Sequence, residues 1–483
     1  MRRKSLLFAM LFLCLPAFSQ KGGELADLFR QGVGFYKAGK LAEAEEAFRK
    51  VLKAKPEDPL ILSWLGCVCL GQGKVSEAIA VLEKAVKLNP RDASAHNNLG
   101  SAYLEQGEIE KALREFKEAT RLDPNHPDAF FNLGIALLRA GRPGEAVQAL
   151  KKAKSLNPHD VSIVLNLAYA YRKAGMRREA VSAYRAALKY KGAPPEALLG
   201  LGLACRDAGL HLEAVEALKR YVQLKPGDFV GWMNLGLELF KIGRMKEAST
   251  AFEKACSIKP NDFAAHYNLA LTYARMLRLS DAAKAYEKAL KIKPNDPMAL
   301  NNLGWVLFSQ GKIEKAAESF KAAVRADPKF SLARRNLGLC YYKLDRTDEA
   351  LREFLEVLKA NPEDAEVRAI VAKIFFDKGE NEKAIKHYTE LLKLRPNDVA
   401  ALNNLGLAYE RIGNLEKAKE CFERAIRINP KYALAHNNLG VIYERMGDLK
   451  KALDCYRRAL DISPGYEHAK YNYERLKRRL RRS

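Results

Sequence analysis

A proline that returns every 34 residues is the feature that most constrains this chain. The interval is missed once, where Gly192 stands in place of proline. The prolines that keep it are Pro56, Pro90, Pro124, Pro158, Pro226, Pro260, Pro294, Pro328, Pro362, Pro396, Pro430 and Pro464. If each repeat ends two residues after its proline, thirteen repeats run from Leu25 to Tyr466 without insertion or deletion. A period of this length is typical of a solenoid of stacked structural repeats.

Small residues recur at fixed places in each repeat, whose positions run from 1 to 34. Position 20 is alanine in all thirteen repeats, and position 8 is glycine or alanine in all of them. Position 15 is glycine in eleven, with Leu277 and Asp345 as the exceptions. Glycine there supplies the left-handed backbone that ends a first helix, and proline at position 32 ends a second helix. Because small side chains let two helices approach closely, each repeat is predicted to be a helix–turn–helix hairpin.

The pattern resembles that of the tetratricopeptide repeat family, whose 34-residue unit has the same small, leucine, aromatic and proline positions. The resemblance covers residues 25–466 without a gap. It implies an all-α fold, a right-handed superhelical solenoid of about thirteen hairpins enclosing a concave groove. Residues 467–483 are expected to add a basic capping helix over the end of the last repeat.

Asparagine recurs at position 6, on the first helix of the hairpin. The resemblance implies that positions 2, 5, 6, 9, 12 and 13 face the groove. The row of amides is similar to the asparagine ladder in the superhelical repeats of O-GlcNAc transferase, which holds a peptide by its main chain. The ladder residues here are Asn98, Asn132, Asn166, Asn234, Asn268, Asn302, Asn336, Asn404 and Asn438. Two interpretations stay open: the amides bind a peptide backbone, or they bond neighbouring helices or water.

Large apolar side chains occupy groove positions in the second half of the chain. Phe240, Trp305, Phe308 and Tyr342 lie at positions 9 or 12 and complete the predicted peptide-binding groove. Such a surface favours a peptide or an amphipathic segment as ligand. Position 2 holds no Lys or Arg in any repeat, so the carboxylate clamp of the family's chaperone adaptors is not expected.

The ladder is interrupted at Gly200 and Ile370. Gly200 follows the junction KGAPP at 191–195, which contains the missed proline interval. A local change in the geometry of the solenoid, able to act as a hinge, is predicted there.

No set of residues indicates catalysis. The eight histidines lack a metal-binding spacing, and the cysteines after Cys14 are scattered over different repeats. No phosphate-binding glycine loop or nucleophile elbow occurs. The chain is therefore expected to be no enzyme, to use no cofactor or metal, and to have no disulfide framework.

The N-terminus predicts a signal peptide over residues 1–19, followed by a short linker at 20–24. A basic start at 2–4 precedes the apolar run at 6–15, and a small-x-small cleavage signal ends at Ser19. The run is shorter than the ~20 residues of a membrane-spanning helix. A periplasmic or secreted protein is expected, and a protein anchored to the inner membrane by an uncleaved segment is the alternative.

The net charge of +24 is concentrated partly at the C-terminus, where residues 470–483 carry seven basic residues against Glu474. That tail predicts contact with an anionic surface in addition to capping. No specific nucleic acid is expected, because such binding would place Lys and Arg along the groove.

The sequence therefore favours a non-enzymatic scaffold that binds extended or helical segments of partner proteins in its groove, within an extracytoplasmic assembly. The alternatives are a membrane-anchored cytoplasmic adaptor and the substrate-recruiting subunit of a glycosyltransferase-type enzyme.

Overall fold

The computed structural model describes residues 23–482, which form 27 α-helices and no strand. The all-α class and the helical hairpins predicted from the repeats are confirmed. The expected signal peptide, residues 1–19, lies outside the described residues, and the first helix already begins at Gly23. Within residues 23–482, no helix combines the length and the apolar character needed to cross a membrane.

The chain divides into two compact units, Met1–Ile258 and Lys259–Ser483. The helices of the N-terminal unit are α1 Gly23–Lys37, α2 Leu41–Ala54, α3 Pro59–Gly71, α4 Val75–Leu88, α5 Ala93–Gln106, α6 Ile109–Leu122, α7 Pro127–Arg139, α8 Pro143–Leu156, α9 Val161–Lys173, α10 Arg177–Ala187, α11 Glu196–Asp207, α12 His211–Leu224, α13 Phe229–Lys241 and α14 Met245–Ile258. Those of the C-terminal unit are α15 Phe263–Arg275, α16 Leu279–Ile292, α17 Pro297–Ser309, α18 Ile313–Ala326, α19 Ser331–Lys343, α20 Thr347–Ala360, α21 Ala365–Asp377, α22 Asn381–Leu394, α23 Val399–Arg411, α24 Leu415–Ile428, α25 Ala433–Arg445, α26 Leu449–Ile462 and α27 Glu467–Arg482. Odd-numbered helices are therefore the first helices of the repeats.

In most repeats, the residue at position 34 directly precedes the first helix of the next repeat. In eight of them the preceding residue is an aspartate whose carboxylate accepts from backbone N–H groups of the first turn. At α17, for example, Asp296 accepts from the N–H of Ala299 at 2.9 Å. Such a side chain satisfies donors that have no partner inside the helix.

Close contact between positions 8 and 24 holds each hairpin together. A Cβ atom added to Gly304 would lie 2.7 Å from the ring of Phe320, so only a very small residue fits. The alanine at position 20 is fully buried in every repeat. Both observations confirm the predicted tight packing of the first helix on the second.

Where position 4 is tryptophan, arginine or histidine, its side chain makes a hydrogen bond that the sequence did not predict. Its side chain reaches the carbonyl of the proline six residues earlier, as Trp232 Nε1 does to Pro226 at 2.8 Å and Arg334 Nε does to Pro328 at 3.0 Å. His96, His266 and His436 make the same contact through Nε2, at 3.1, 2.8 and 3.0 Å. Because a carbonyl only accepts, the histidines donate. The bond satisfies a carbonyl just beyond the second helix of the preceding repeat.

The junction around residues 191–195 departs from the other repeats, as the sequence predicted. Helix α10 has 11 residues, whereas every other second helix has 14. The chain then turns through Gly192, whose φ is +80°, and α11 begins without a side-chain cap. Hinge motion at this junction stays a prediction.

The turn at position 15 requires a left-handed backbone whatever residue stands there. All eleven glycines at this position have positive φ, and so do Leu277 at 59° and Asp345 at 55°. A left-handed conformation is costly for a branched or bulky residue and less so for aspartate. Leu277 is also 76% exposed, so its side chain gains little from packing.

We predict that Leu277→Gly stabilises the C-terminal unit by about 1 kcal/mol, because glycine removes the strain of the left-handed leucine. Asp345→Gly should stabilise less. Urea unfolding, with hydrogen exchange of α15 and α16 as the local probe, measures the change. Leu212→Gly is the matched control, since Leu212 is an exposed leucine inside α12. That substitution should destabilise, and a destabilising effect of Leu277→Gly would contradict the prediction.

Candidate protein-interaction surface

Within each unit, consecutive first helices touch along two rows of positions. Position 5 of one repeat contacts position 6 of the next, and position 12 contacts position 13, so the partners are 35 residues apart. Asn336 Nδ2, for example, donates to Asn301 Oδ1 at 3.0 Å, and the Lys343 ammonium lies 5.0 Å from the ring centre of Phe308. Positions 5 and 12 are separated by seven residues, about two helical turns. We call these two rows the seam.

Side-chain amides form continuous chains along the seam in the C-terminal unit. One chain runs from Asn472 Nδ2 to Asn437 Oδ1 at 3.0 Å, Asn437 to Asn438 at 3.2 Å, Asn438 to Asn403 at 2.9 Å, and Asn403 to Asn404 at 3.4 Å. A second runs from Asn336 to Asn301 at 3.0 Å, Asn301 to Asn302 at 3.3 Å, and Asn302 to the hydroxyl of Tyr267 at 3.0 Å. Burial raises the pKa of Tyr267, which keeps this hydroxyl neutral. The bonds between residues 35 apart link one repeat to the next, and the bonds within each Asn-Asn doublet connect those links into a chain.

The seam explains why asparagine occurs in pairs. The sequence contains four Asn-Asn doublets, and each has a further asparagine 35 residues after its first member. The resulting pairs are Asn97 with Asn132, Asn301 with Asn336, Asn403 with Asn438, and Asn437 with Asn472, all hydrogen bonded at 2.9 to 3.0 Å. The 35-residue spacing of these pairs can be read from the sequence, but the pairing was not predicted. Asn472, at position 6 of α27, was likewise not predicted as part of the asparagine row.

The remaining ladder asparagines are arranged differently. Asn166, Asn234 and Asn268 donate from Nδ2 to the carbonyl four residues earlier in their own helix, at 2.9, 2.7 and 2.8 Å. Asn98 has a buried Nδ2 without a hydrogen-bond partner. At the interruption, a Cβ on Gly200 would lie 2.2 Å from the ring of Tyr184, which leaves no room for asparagine. Ligand binding by the nine amides stays a prediction.

The four predicted aromatic residues fall into two groups. Phe240, Phe308 and Tyr342, at position 12, are half-buried, and Phe308 contacts Lys343 in the seam. Trp305, at position 9, is 47% exposed. Only Trp305 of this set therefore presents a large free surface to solvent.

Positions 2 and 9 form an open row between the two edges of the seam. On a helix of 3.6 residues per turn they lie between the two edges that form the seam. Met298 and Leu332 at position 2 are each 49% exposed, and Leu339 at position 9 is half-buried beside them. Together with Trp305 they form one exposed surface on α17 and α19, which we call the apolar patch.

A charged side chain borders the apolar patch. Lys343, exposed at position 13 of α19, lies 5.0 Å from the ring centre of Phe308. On α21 the open row is charged and no longer apolar, because Glu366 is at position 2 and Lys373 is at position 9. Lys373 pairs with Asp377 at 2.7 Å, and this hydrogen bond raises the pKa of Lys373. The patch therefore ends at α21 on an ion-paired helix.

The described part of the chain holds no group of three or more side chains suited to bind a metal ion. Its seven cysteines are unpaired. Burial raises the pKa of Cys205 and Cys421 to about 11, so both thiols stay protonated at neutral pH and are poor nucleophiles.

We predict that Asn403→Ala destabilises the packing of α23 on α25 by about 1–3 kcal/mol, because Asn438 loses its acceptor in a buried place. Asn268→Ala is the matched control, since Asn268 Nδ2 bonds only to its own helix. Hydrogen exchange of α23 to α25 measures the change. In the double variant with Asn438→Ala, the second substitution should cost less than it does alone. Equal costs for Asn403→Ala and Asn268→Ala would contradict a role of the seam in stacking.

Three family models match the chain. The model described as the C-terminal domain of cilia and flagella-associated protein 70 matches residues 24–196 and 160–360. A tetratricopeptide repeat model matches residues 398–465, and a TPR repeat model matches residues 372–413. No curated protein matches significantly.

Solved structures of several repeat proteins are similar. The C-terminal part of a TPR repeat-containing protein from Cytophaga hutchinsonii is 19% identical, with a TM-score of 0.43, over 50% of this chain and 98% of that one. PilF from Pseudomonas aeruginosa is 23% identical, with a TM-score of 0.39, over 45% and 96%. YrrB, described as a TPR protein with an unusual peptide-binding site, is 24% identical, with a TM-score of 0.37, over 40% and 99%. With its hairpins and these family matches, the chain belongs to the tetratricopeptide repeat family of protein-interaction scaffolds.

Proposed function

We propose that this protein is a non-enzymatic scaffold that binds extended or helical segments of partner proteins across its first helices, centred on the apolar patch. The observation that carries the proposal is the exposure of Met298, Trp305 and Leu332 side by side on two adjacent helices. Scattered apolar residues are normal on protein surfaces, whereas a contiguous group marks an interaction site. Tryptophan is also among the residues that contribute most to binding at protein interfaces.

The border of the patch defines the chemistry of the partner segment. Lys343 provides positive charge on one edge, and position 2 provides no Lys or Arg on the other. A segment with apolar residues facing Trp305 and acidic residues facing Lys343 matches the surface. The seam amides can add hydrogen bonds: Asn336 Nδ2 is occupied by Asn301, so its Oδ1 remains to accept a backbone N–H.

The test selects binding peptides from a displayed random library on the purified protein. We expect peptides that combine apolar and acidic residues. Trp305→Ala should weaken the best peptide at least tenfold, because a buried interface tryptophan contributes about 2 kcal/mol or more. Fluorescence anisotropy with the labelled peptide measures the affinity.

The matched control is Leu212→Ala, which removes a 69% exposed leucine from a second helix. It should leave peptide affinity unchanged, and circular dichroism should show that both variants fold. Selection of no peptide, or equal affinity of Trp305→Ala and the original protein, would refute the apolar patch as the binding site.

We also propose that the scaffold acts outside the cytoplasm, after removal of residues 1–19. The support is the basic start, the apolar run and the cleavage signal of that segment. The mass of the protein isolated from its native host tests this: an N-terminus at Gln20 is expected. An intact N-terminus would instead support the anchored alternative.

The third element of the proposal is an anionic contact through the basic tail. Helix α27 carries seven basic residues and two acidic ones. This surface is separate from the apolar patch, so the two contacts can be tested independently.

A further inference from the structure

Helix α27 occupies the place of a first helix in one further repeat. Ala469 falls at position 3 and is fully buried, and Asn472 falls at position 6 and donates to Asn437 at 3.0 Å. Position 8, which is glycine or alanine in all thirteen repeats, is Glu474 here, and it is exposed. A glutamate at this position prevents a second helix from packing. The outer side of α27 is therefore uncovered in the described part of the chain.

Three arginines and a tyrosine line one cavity on this outer side: Tyr471, Arg475, Arg478 and Arg479. They stand at positions 5, 9, 12 and 13, the positions that carry the seam and the open row in other repeats. Tyr471 is 66% exposed. Arg475 takes position 9 of the open row, where α17 and α19 present Trp305 and Leu339, and Arg478 and Arg479 take seam positions 12 and 13.

Two arginines of the cavity make hydrogen bonds within the protein. Arg475 pairs with Glu444 at 2.6 Å, and Glu444 also accepts from the hydroxyl of Tyr456 at 3.0 Å. Arg478 Nε donates to the backbone carbonyl of Glu474 at 3.3 Å. Arg475 lies 6.0 Å from the ring centre of Tyr471. A fixed guanidinium loses less conformational freedom when it binds an oxyanion, and its planar fork matches phosphate oxygens.

We infer that α27 binds the phosphate groups of anionic phospholipids at a bilayer surface. The inference rests on the proposed anionic contact of the basic tail, and it names the ligand of that contact. The cavity lining comprises three arginines and a tyrosine and no carboxylate, so it offers positive charge to a phosphate.

The distribution of charge favours a surface over a single small anion. Lys470 and Arg481 extend the exposed positive surface beyond the cavity. The positively charged surface is therefore larger than one phosphate group can contact. The exposed ring of Tyr471 suits the boundary between lipid headgroups and water. Leu476, on the apolar side of α27, is fully buried in the repeat stack. The helix therefore lies on the bilayer and does not insert.

The test measures co-sedimentation of the full chain with vesicles of three compositions. These are phosphatidylcholine alone, phosphatidylcholine with phosphatidylglycerol, and phosphatidylcholine with oleate at the same surface charge. We expect the strongest binding to the phosphatidylglycerol vesicles. Arg478→Gln with Arg479→Gln should weaken that binding on the order of tenfold, from the contribution of each basic residue near an anionic membrane.

Two further variants separate recognition of phosphate from charge alone. Arg478→Lys with Arg479→Lys keeps the charge and removes the guanidinium forks, so it should weaken binding to phosphatidylglycerol measurably. Lys470→Gln with Arg481→Gln removes the same charge outside the cavity and should have a smaller effect than the Arg478→Gln, Arg479→Gln pair. Circular dichroism and peptide binding at the apolar patch report whether each variant remains folded.

The outcomes distinguish the anionic contact of the basic tail from recognition of phospholipid phosphate groups. Equal binding to oleate and phosphatidylglycerol vesicles, unchanged in the lysine variant, leaves the anionic contact standing and overturns phosphate recognition. Full displacement by inorganic phosphate at matched ionic strength overturns the bilayer as the source. No preference for anionic vesicles overturns the bilayer inference; binding to polyglutamate in that case assigns the tail's anionic contact to an acidic protein, and no binding to polyglutamate either overturns the anionic contact as well.

Discussion

The contact of a very small residue at position 8 with a large residue at position 24 controls the rest of this structure. At Gly406 an added Cβ would lie 2.7 Å from the ring of Phe422, and at Gly236 it would lie 2.6 Å from Phe252. Such close approach fixes the distance between the two helices of a hairpin. The same pair of positions packs in the repeats that have glycine at position 8, and the seam contacts recur 35 residues apart on this regular framework.

The solvent-facing side of each first helix has two roles, stacking on neighbouring repeats and presenting a variable surface. Its edges, at positions 5 and 12 and at positions 6 and 13, hold neighbouring repeats together through amides, aromatic rings and cations. Its middle, at positions 2 and 9, lies between these edges and varies in chemistry from repeat to repeat. The exposed side chains of the first helices differ along the chain. They are apolar on α17 and α19, ion-paired on α21, and arginines on α27. Stability and recognition thus depend on different residues of the same helix.

The fold could be predicted from the sequence almost completely, because glycine, proline and alanine mark the ends and contacts of each hairpin at a fixed spacing. Even Leu277 and Asp345, which lack the glycine, adopt the left-handed turn. The site could be predicted only in part. Positions 6, 9 and 12 share one side of a helix, and only the contact between successive helices shows that Phe308 lies in the seam while Trp305 remains exposed. The pairing of Asn301 with Asn336 was available from the sequence, as a spacing of one repeat plus one residue.

The pairing across the seam limits how such a chain can grow or shrink by gene duplication and deletion. Loss of residues 331–364 would preserve the 34-residue period and yet bring Ile370 opposite Asn301, an aliphatic group against an amide that needs a partner. Duplication of residues 399–432 would instead place a new copy of Asn404 opposite Asn403, which reproduces the existing chemistry. The repeats look interchangeable by length, but their order is constrained by which amide each one offers to the next.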